Sequence, residues 1–148
     1  MTGRFMTMKS AEDFEKMKVA GAVVAAVHQA VREAAVPGVT MLELDAIAHE
    51  VIREADCRPS FLGYHGFPAS ICASPNQVIV HGIPGDYTLK DGDILSIDAG
   101  AIYEGWHGDA AFTMAIGDVP AETAVSITGH PNGAGEHSFS YSAGETTV

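Results

Sequence analysis

Two aspartates, Asp98 and Asp109, are the residues of this sequence best spaced to do chemistry together. Asp98 closes a short apolar run that begins at Ile94, and Asp109 leads into a second apolar run. Glu104-Gly105 lies between them and is a turn signal. Two such runs joined by a glycine-containing turn predict a β-hairpin. If a bulge absorbs a one-residue offset, the hairpin places the two carboxylates roughly opposite each other, about 5 Å apart.

Two negative charges at that distance destabilise a sheet, so a compensating feature is expected. A shared proton would raise the pKa of one carboxyl group. A pair of hard divalent cations would neutralise both carboxylates, which bridge such ions well. Two solvated aspartates at strand ends would show the same spacing. The spacing alone leaves these three interpretations open.

Three motifs carry a resemblance to a known family. They are Gly63-Tyr64-His65-Gly66-Phe67-Pro68, then Asn76-Gln77-Val78-Ile79-Val80-His81-Gly82-Ile83-Pro84, then Ile97-Asp98 with Gly105-Trp106-His107-Gly108-Asp109. In this order and spacing the sequence resembles type I methionine aminopeptidases from about Ser10 to Glu122. Type I is favoured because no long insertion separates the helices from the loop. Prolidase-like peptidases share the fold, but the Tyr64–Pro68 loop fits the aminopeptidases better.

The resemblance implies an α/β fold of the pita-bread (methionine aminopeptidase/creatinase-like) type, represented by its N-terminal half only. It implies metal-dependent hydrolysis that removes the N-terminal methionine from nascent polypeptides, with the ribosome as a candidate partner. By the same resemblance Asp98 and Asp109 are metal ligands for two divalent ions, such as Co, Mn, Fe or Zn. His81 becomes the catalytic imidazole that contacts the substrate, although by itself it could be a satisfied core histidine.

The aromatic loop is expected to form the substrate pocket. By itself, a loop with several aromatic residues could simply close the edge of a core. The resemblance instead implies a pocket for the methionine side chain, whose thioether packs well against aromatic edges. The same resemblance places His65 near the pocket mouth. The implied substrate-binding residues, besides His81, are Phe61, Tyr64, Phe67 and Cys72.

Two helices must support this hairpin. Ser10 with Asp13, and Thr40 with Glu43, form capping boxes that predict helix starts. The first helix should end at Pro37-Gly38, and the second should run from about Met41 to Ala55. Together they are expected to cover one side of a sheet. The apolar stripe predicted for the first helix comprises Phe14, Met17, Gly21, Val24, Val27, Val31 and Ala34.

The remaining segments give weaker signals. Ser70 to Ser74 and Val78 to Val80 are predicted as short strands. Asp91 and Asp93 are interpreted as turn carboxylates. His28 and His107 receive no role.

The composition of the chain favours some classes of protein and argues against others. The chain has 148 residues, 47% of them hydrophobic, which predicts one globular domain. Its net charge of −11 argues against a nucleic-acid or anionic-membrane surface. Two cysteines, Cys57 and Cys72, fit a reduced cytoplasmic protein better than a disulfide scaffold. There is no membrane-length apolar run and no signal-peptide pattern.

The chain is expected to divide into a flexible lead-in over residues 1–9, the aminopeptidase half over 10–122 and a divergent, disordered tail over 123–148. The tail is rich in Gly, Ser and Thr and is predicted to be a frameshift or assembly artefact. The family continues instead into a second half that supplies a His and two Glu ligands. His130, Glu136 and His137 do not match those motifs. We therefore expect weak or incomplete metal binding and impaired activity. The alternative is a non-catalytic fragment or a module that binds peptide N-termini.

Overall fold

In the computed structural model, two helices pack on one face of a four-stranded antiparallel sheet. The structure describes residues 8–119, and the backbone alone of two further strands at 126–131 and 137–142. The helices are α1 (Ala11–Ala34) and α2 (Met41–Glu54). The strands of the main sheet are β1 (Arg58–Pro59), β2 (Ile71–Pro75), β3 (Ile94–Tyr103) and β4 (Trp106–Ala115).

The capping boxes predicted from sequence are confirmed at both helix starts. The Asp13 N–H donates to Ser10 Oγ at 3.2 Å, and the Ser10 N–H donates back to Asp13 Oδ2 at 2.8 Å. Thr40 and Glu43 make the same reciprocal pair. Each N-cap is worth about 1 kcal/mol of helix stability. These local signals fix where both helices begin.

The buried face of α1 differs from the predicted stripe at its N-terminal end. Val24, Val27 and Val31 are buried as expected, but Phe14 is 52% exposed and Gly21 is exposed. Ala20 is fully buried in their place. The reason is where α1 meets the sheet. The helix backbone at Ala20–Gly21 lies against Gly108 of β4, so Ala20 faces the strand at this level and Gly21 does not.

The β3–β4 hairpin is regular over ten residue pairs, from Ile94 with Ala115 to Tyr103 with Trp106. Glu104 and Gly105 form its two-residue turn, with φ of 45° and 86°. Two successive positive φ values are those of a type I′ turn, whose twist matches that of the strands. The hairpin is therefore centred on the turn signal itself and needs no bulge. The predicted placement of Asp98 opposite Asp109 is consequently wrong by two residues.

Alternation along β3 separates a core face from a second face. The core-facing residues pack with both helices and are Leu95, Ile97, Ala99 and Ala101. Ser96, Asp98 and Gly100 alternate with them and point to the opposite side of the sheet. This confirms the prediction that the helices cover one side. β1 and β2 both pair with the same edge of β3, one after the other.

The predicted strand at Val78–Val80 is absent, and the turn before it explains why. Asn76 adopts a positive φ of 51° and bonds β3 at Ile94 through both its backbone N–H and its side-chain oxygen. Strand β2 therefore ends at Pro75, and the turn at Asn76 directs residues 78–80 away from the sheet.

Asp91 and Asp93 are turn carboxylates, as expected. Asp93 is buried and accepts hydrogen bonds from the Asn76 amide, the Tyr87 hydroxyl and the Lys90 N–H. Asp91 accepts one from the Asp118 N–H. Both carboxylates therefore hold together the segments that flank β3.

Two further strands lie in the tail. β5 (Ser126–Pro131) and β6 (His137–Ser142) pair with each other as a separate antiparallel hairpin. The predicted disorder of the tail over residues 123–148 stays a prediction. The other predictions about the tail and the lead-in fall largely outside the described residues. No helix in the described part of the chain has the length and apolar character needed to span a membrane.

Candidate functional site

The loop after β1 is held against β3 by a close backbone contact at Gly100. The Ser60 N–H donates to the Gly100 carbonyl at 2.9 Å. A Cβ on Gly100 would lie 2.8 Å from Ser60 Cβ and 3.1 Å from Phe61 Cε1. Only glycine allows this approach. Gly100 therefore sets the position from which the aromatic loop starts.

The loop then closes around a cavity of about 350 Å³. A single 3-10 turn at Tyr64–Gly66 bends it, with positive φ at Gly63, His65 and Gly66. The size falls in the range of small-molecule sites. The residues that line the cavity are Phe61, Tyr64, Phe67, Cys72, His81, Ile83 and Asp98.

His81 reaches this cavity because the segment that carries it is bound to β2. The Gly82 N–H donates to Ser74 Oγ at 3.0 Å, and the Ala73 N–H donates to the Gly82 carbonyl at 2.9 Å. A Cβ on Gly82 would lie 2.1 Å from the Ala73 carbonyl oxygen. His81 itself adopts a positive φ of 57°. These contacts place an exposed imidazole in the same lining as Asp98.

Asp98 and Asp109 share the sheet face that points away from the helices. Asp98 is paired with Ala111, and Asp109 with Gly100, so the two aspartates are diagonal rather than direct neighbours. Diagonal Cα atoms lie about 7–8 Å apart, within reach of converging side chains. Asp98 is half-buried and Asp109 is exposed. The face thus carries one carboxylate in the lining of the cavity, Asp98, and a second diagonal to it, Asp109.

The pKa of Asp98 is raised to about 6, first by burial and then by the negative charge of Asp109. His81 and the Ala99 N–H act in the opposite direction. The pKa of the Cys72 thiol is raised to about 11, first by burial and then by the charges of Asp98 and Asp109. Cys72 is paired with Asp98 across β2 and β3. The thiol therefore stays neutral at physiological pH and offers the cavity an apolar surface.

A divalent cation fits the two aspartates. Asp98 Oδ1 is buried and has no hydrogen-bond partner among the described residues. A buried, unpartnered carboxylate oxygen costs free energy, which a bound cation would recover. Carboxylates are good ligands for such ions. Within the described residues, however, no group of three His, Cys, Asp or Glu side chains converges on one point.

The structure brings six of the seven predicted site residues into one lining, and the seventh, Asp109, lies beside Asp98. His65 contacts Tyr64 edge-to-face, with ring centroids 4.3 Å apart. Sequence reasoning missed Ile83 as a lining residue, although it is an apolar residue two positions after His81. It also gave no role to His107, whose ring bonds Ser60.

His28 was likewise left without a role. Its Nε2 lies 2.9 Å from the Ala110 carbonyl oxygen, and its ring packs edge-to-face on Phe112. Burial lowers its pKa. The contact joins α1 to β4 one residue after Asp109. The sequence around His28 does not predict this contact, because Ala110 lies 82 residues away in the chain.

Comparison with known proteins decides the family. The sequence pattern of metallopeptidase family M24 matches residues 15–128. The chain belongs to metallopeptidase family M24. Within that family it matches the N-terminal portion of type I methionine aminopeptidases, as its motifs indicate.

Individual M24 relatives give the same result in sequence and structure. Methionine aminopeptidase 1 of Mycobacterium tuberculosis is 56% identical over 125 residues, which are 83% of this chain and 47% of that protein. The crystal structure of methionine aminopeptidase from Rickettsia prowazekii superposes with a TM-score of 0.76 at 39% identity, covering 78% of this chain and 47% of that one. The enzyme from Thermotoga maritima gives 0.76 at 38%, with the same coverages.

These M24 neighbours confirm the pita-bread α/β fold expected from the motifs. The chain spans about half the length of the relatives it matches. Divalent-metal dependence is a property of the metallopeptidase family as a whole.

Proposed function

We propose that this chain provides the methionine pocket and two metal ligands of a methionyl aminopeptidase, which removes the N-terminal methionine from nascent polypeptides. The observation that carries the proposal is the composition of one cavity. Aromatic rings and a neutral thiol line it together with an imidazole and a carboxylate of raised pKa. Perturbed titratable groups in an apolar cavity favour a binding or catalytic site.

The apolar part of the cavity suits a thioether. Phe61, Tyr64 and Phe67 offer ring edges and faces, against which sulfur packs favourably. Cys72 and Ile83 complete an uncharged surface. An unbranched, flexible methionine side chain can adapt to such a wall. A carboxylate side chain would lose its hydration there and would meet the negative charge of Asp98.

The polar part of the cavity suits the peptide end of the substrate. His81 can hydrogen-bond to the substrate carbonyl or amide. Asp98 and Asp109 would hold divalent ions of the Co, Mn, Fe or Zn type. When bound, such ions acidify water and polarise the scissile carbonyl. With two carboxylates converging among the described residues, we propose weak binding by the chain alone.

The second candidate function is a module that binds peptide N-termini without cutting them. It is favoured by the absence of a third converging ligand among the described residues. Both candidates use the same pocket. They differ in whether methionine is released.

A cytoplasmic location belongs to this proposal, supported by two cysteines that are both free and buried, Cys57 and Cys72. The ribosome remains a candidate partner on the strength of the proposed substrate alone. Neither point affects the argument from the cavity.

Ligand titration tests the pocket directly. Methionine amide should perturb the NMR signals of Phe61, Phe67 and Cys72, and the α-amide of glutamate should not. Phe67→Ala should weaken methionine amide binding about tenfold, the loss of one good aromatic contact. Phe14→Ala is the matched control, because Phe14 is an exposed aromatic on α1, outside the lining. Equal affinity for both amides, or perturbation away from the lining, would refute the pocket.

A further inference from the structure

His107 contacts the loop that forms the cavity wall, although it does not itself line the cavity. Its Nδ1 lies 3.0 Å from Ser60 Oγ, although 47 residues separate the two in sequence. His107 lies on β4 two residues before Asp109, so both side chains point to the same face of the strand. The imidazole is exposed. An exposed hydrogen bond of this kind adds little to global stability.

Ser60 is the residue through which His107 can reach the cavity. Ser60 is already fixed by its backbone bond to Gly100, with its Oγ 2.9 Å from where a Gly100 Cβ would lie. Its neighbour Phe61 lies over the same glycine and lines the cavity. Gly100 is in turn paired with Asp109 across the hairpin. A single cluster therefore connects a wall of the cavity to the strand that carries the second carboxylate.

We propose that His107 is a positioning residue: through Ser60 it fixes the Phe61 ring as a wall of the cavity and so sets which side chains the cavity accepts. The backbone bond to Gly100 restrains Ser60 at its main-chain nitrogen. The His107 contact restrains it at a second point, the side-chain oxygen. It holds the 60–61 peptide in one orientation, and the Phe61 ring follows. The identity of the ligand rests on the proposed function, whereas the position of the ring does not.

The contact has a definite chemical requirement, which variants can meet or miss. Ser60 Oγ can donate or accept, so either tautomer of His107 satisfies it at Nδ1. An Asn side chain carries its amide atoms on Cγ, as His carries Nδ1, and can reach Ser60. A Gln side chain carries them one bond further out and cannot reproduce the geometry. Both variants keep a polar side chain at position 107, but only His107→Asn can keep the hydrogen bond to Ser60. Comparing them therefore shows whether the hydrogen bond itself matters.

The experiment uses the full 148-residue chain and needs no activity. Nuclear Overhauser contacts between the Phe61 ring protons and the Gly100 Hα report where the ring lies. We expect them in the unaltered protein and in His107→Asn, and we expect their loss in His107→Gln and Ser60→Ala. Thermal midpoints should be alike in all four proteins, because the bond is exposed. Retention of the contacts in both His107→Gln and Ser60→Ala would overturn the proposal.

Ligand selectivity provides the second measurement. The ratio of methionine amide to leucine amide affinity should fall about threefold in His107→Gln, the effect of one hydrogen bond of modest net strength. It should return to the original value in His107→Asn. Failure of the unaltered chain to bind methionine amide would refute the proposed function, while the ring contacts would still decide the role of His107. Ring contacts that shift as expected with an unchanged affinity ratio would overturn the specificity part of the proposal.

Discussion

Asp98 and Asp109 are diagonal neighbours on one face of the β3–β4 hairpin, since Asp98 is paired with Ala111 and Asp109 with Gly100. A directly opposed pair would hold the charges about 5 Å apart at the Cβ atoms. The diagonal arrangement leaves more room between the backbones, and the side chains converge from two directions. It suits two carboxylates that share a proton or flank a cation. Burial is the main reason that the pKa of Asp98 is raised, and the nearby charge of Asp109 raises it as well.

That pKa makes Asp98 a source of pH-dependent instability. Its folded value of about 6 exceeds the ordinary 3.8, so the folded state binds the proton more tightly than the unfolded state does. The free energy of unfolding should therefore fall as pH rises from about 4 to about 6 on account of this group. The size of the pKa shift sets an upper limit on this change in the free energy of unfolding. Screening by solvent at the half-buried site leaves a change of about 1–3 kcal/mol.

Asp98→Asn should remove this contribution. We expect the variant to be more stable than the unaltered chain at pH 7, with a difference that shrinks toward pH 4, in urea unfolding followed by circular dichroism. Asp86→Asn is the control, because Asp86 is an exposed carboxylate outside the cavity. A stability difference that does not change between pH 4 and pH 7 would show that Asp98 titrates normally.

Divalent cations should stabilise the chain only where Asp98 is ionised. Metal ligands must be deprotonated to bind, so protons and metal compete. At pH 7, Mn²⁺ at ten times its dissociation constant should add about 1.4 kcal/mol to the free energy of unfolding. The increase should disappear at pH 4.5 and in Asp98→Asn. An equal increase in Asp98→Asn at pH 7 would assign the binding to other carboxylates of this acidic chain.

Features that depend on a few neighbouring residues were predictable from sequence, and those that depend on distant contacts were not. The Ser10 and Thr40 capping boxes need only four residues each, and both are present. Phe14 fitted the helical period, but its burial depends on where α1 meets β4. Val78–Val80 has strand-like composition, yet the turn at Asn76 takes it off the sheet.

The candidate site divides in the same way. The family resemblance named six of the seven residues that line the cavity, four of them inside its motifs (Tyr64, Phe67, His81 and Asp98). It missed Ile83, although Ile83 lies in the Asn76–Pro84 motif, because an apolar side chain carries no sign of whether it lines a cavity or fills a core. The turn at Glu104-Gly105 was identified, but the register across it was misplaced, and with it the relation of Asp98 to Asp109. The contact of His107 with Ser60 joins a motif residue to a residue outside the motifs, 47 positions away, and neither local sequence predicts it.

Gly108 should be intolerant of any side chain. A Cβ there would lie 2.6 Å from the α1 backbone at Ala20 and Gly21. Gly108→Ala should therefore force α1 away from β4 and cost about 1–3 kcal/mol, as overpacking does. Gly21→Ala is the matched control: its Cβ would meet nothing within 4 Å, and alanine should gain about 0.5–1 kcal/mol in a helix. Urea unfolding of both variants measures the contrast, and equal effects would contradict the close crossing.

The loop around His81 should bind hydrophobic dyes. Ile79 is 85% exposed, and Val80, Ile83 and Tyr64 are exposed to more than half. Exposed apolar groups in such a patch favour association with dyes or with other chains. We expect ANS fluorescence with the folded chain, and we expect Ile79→Ser combined with Val80→Ser to reduce it. Dye binding that persists in that double variant would place the apolar surface elsewhere, and a cooperative monomer that ignores the dye would refute the prediction.

The last prediction concerns turnover by this chain alone. Efficient hydrolysis requires ions held in a defined coordination sphere, which acidifies water and stabilises the developing oxyanion. Among the described residues only Asp98 and Asp109 are positioned for that purpose, and no third ligand converges on them. We therefore expect release of methionine from Met-Ala-Ser at background rate, even with Co²⁺ or Mn²⁺ added, while methionine amide still occupies the cavity. Metal-dependent release that disappears in Asp109→Ala would contradict this, and would show that the chain completes its coordination sphere with residues beyond these two.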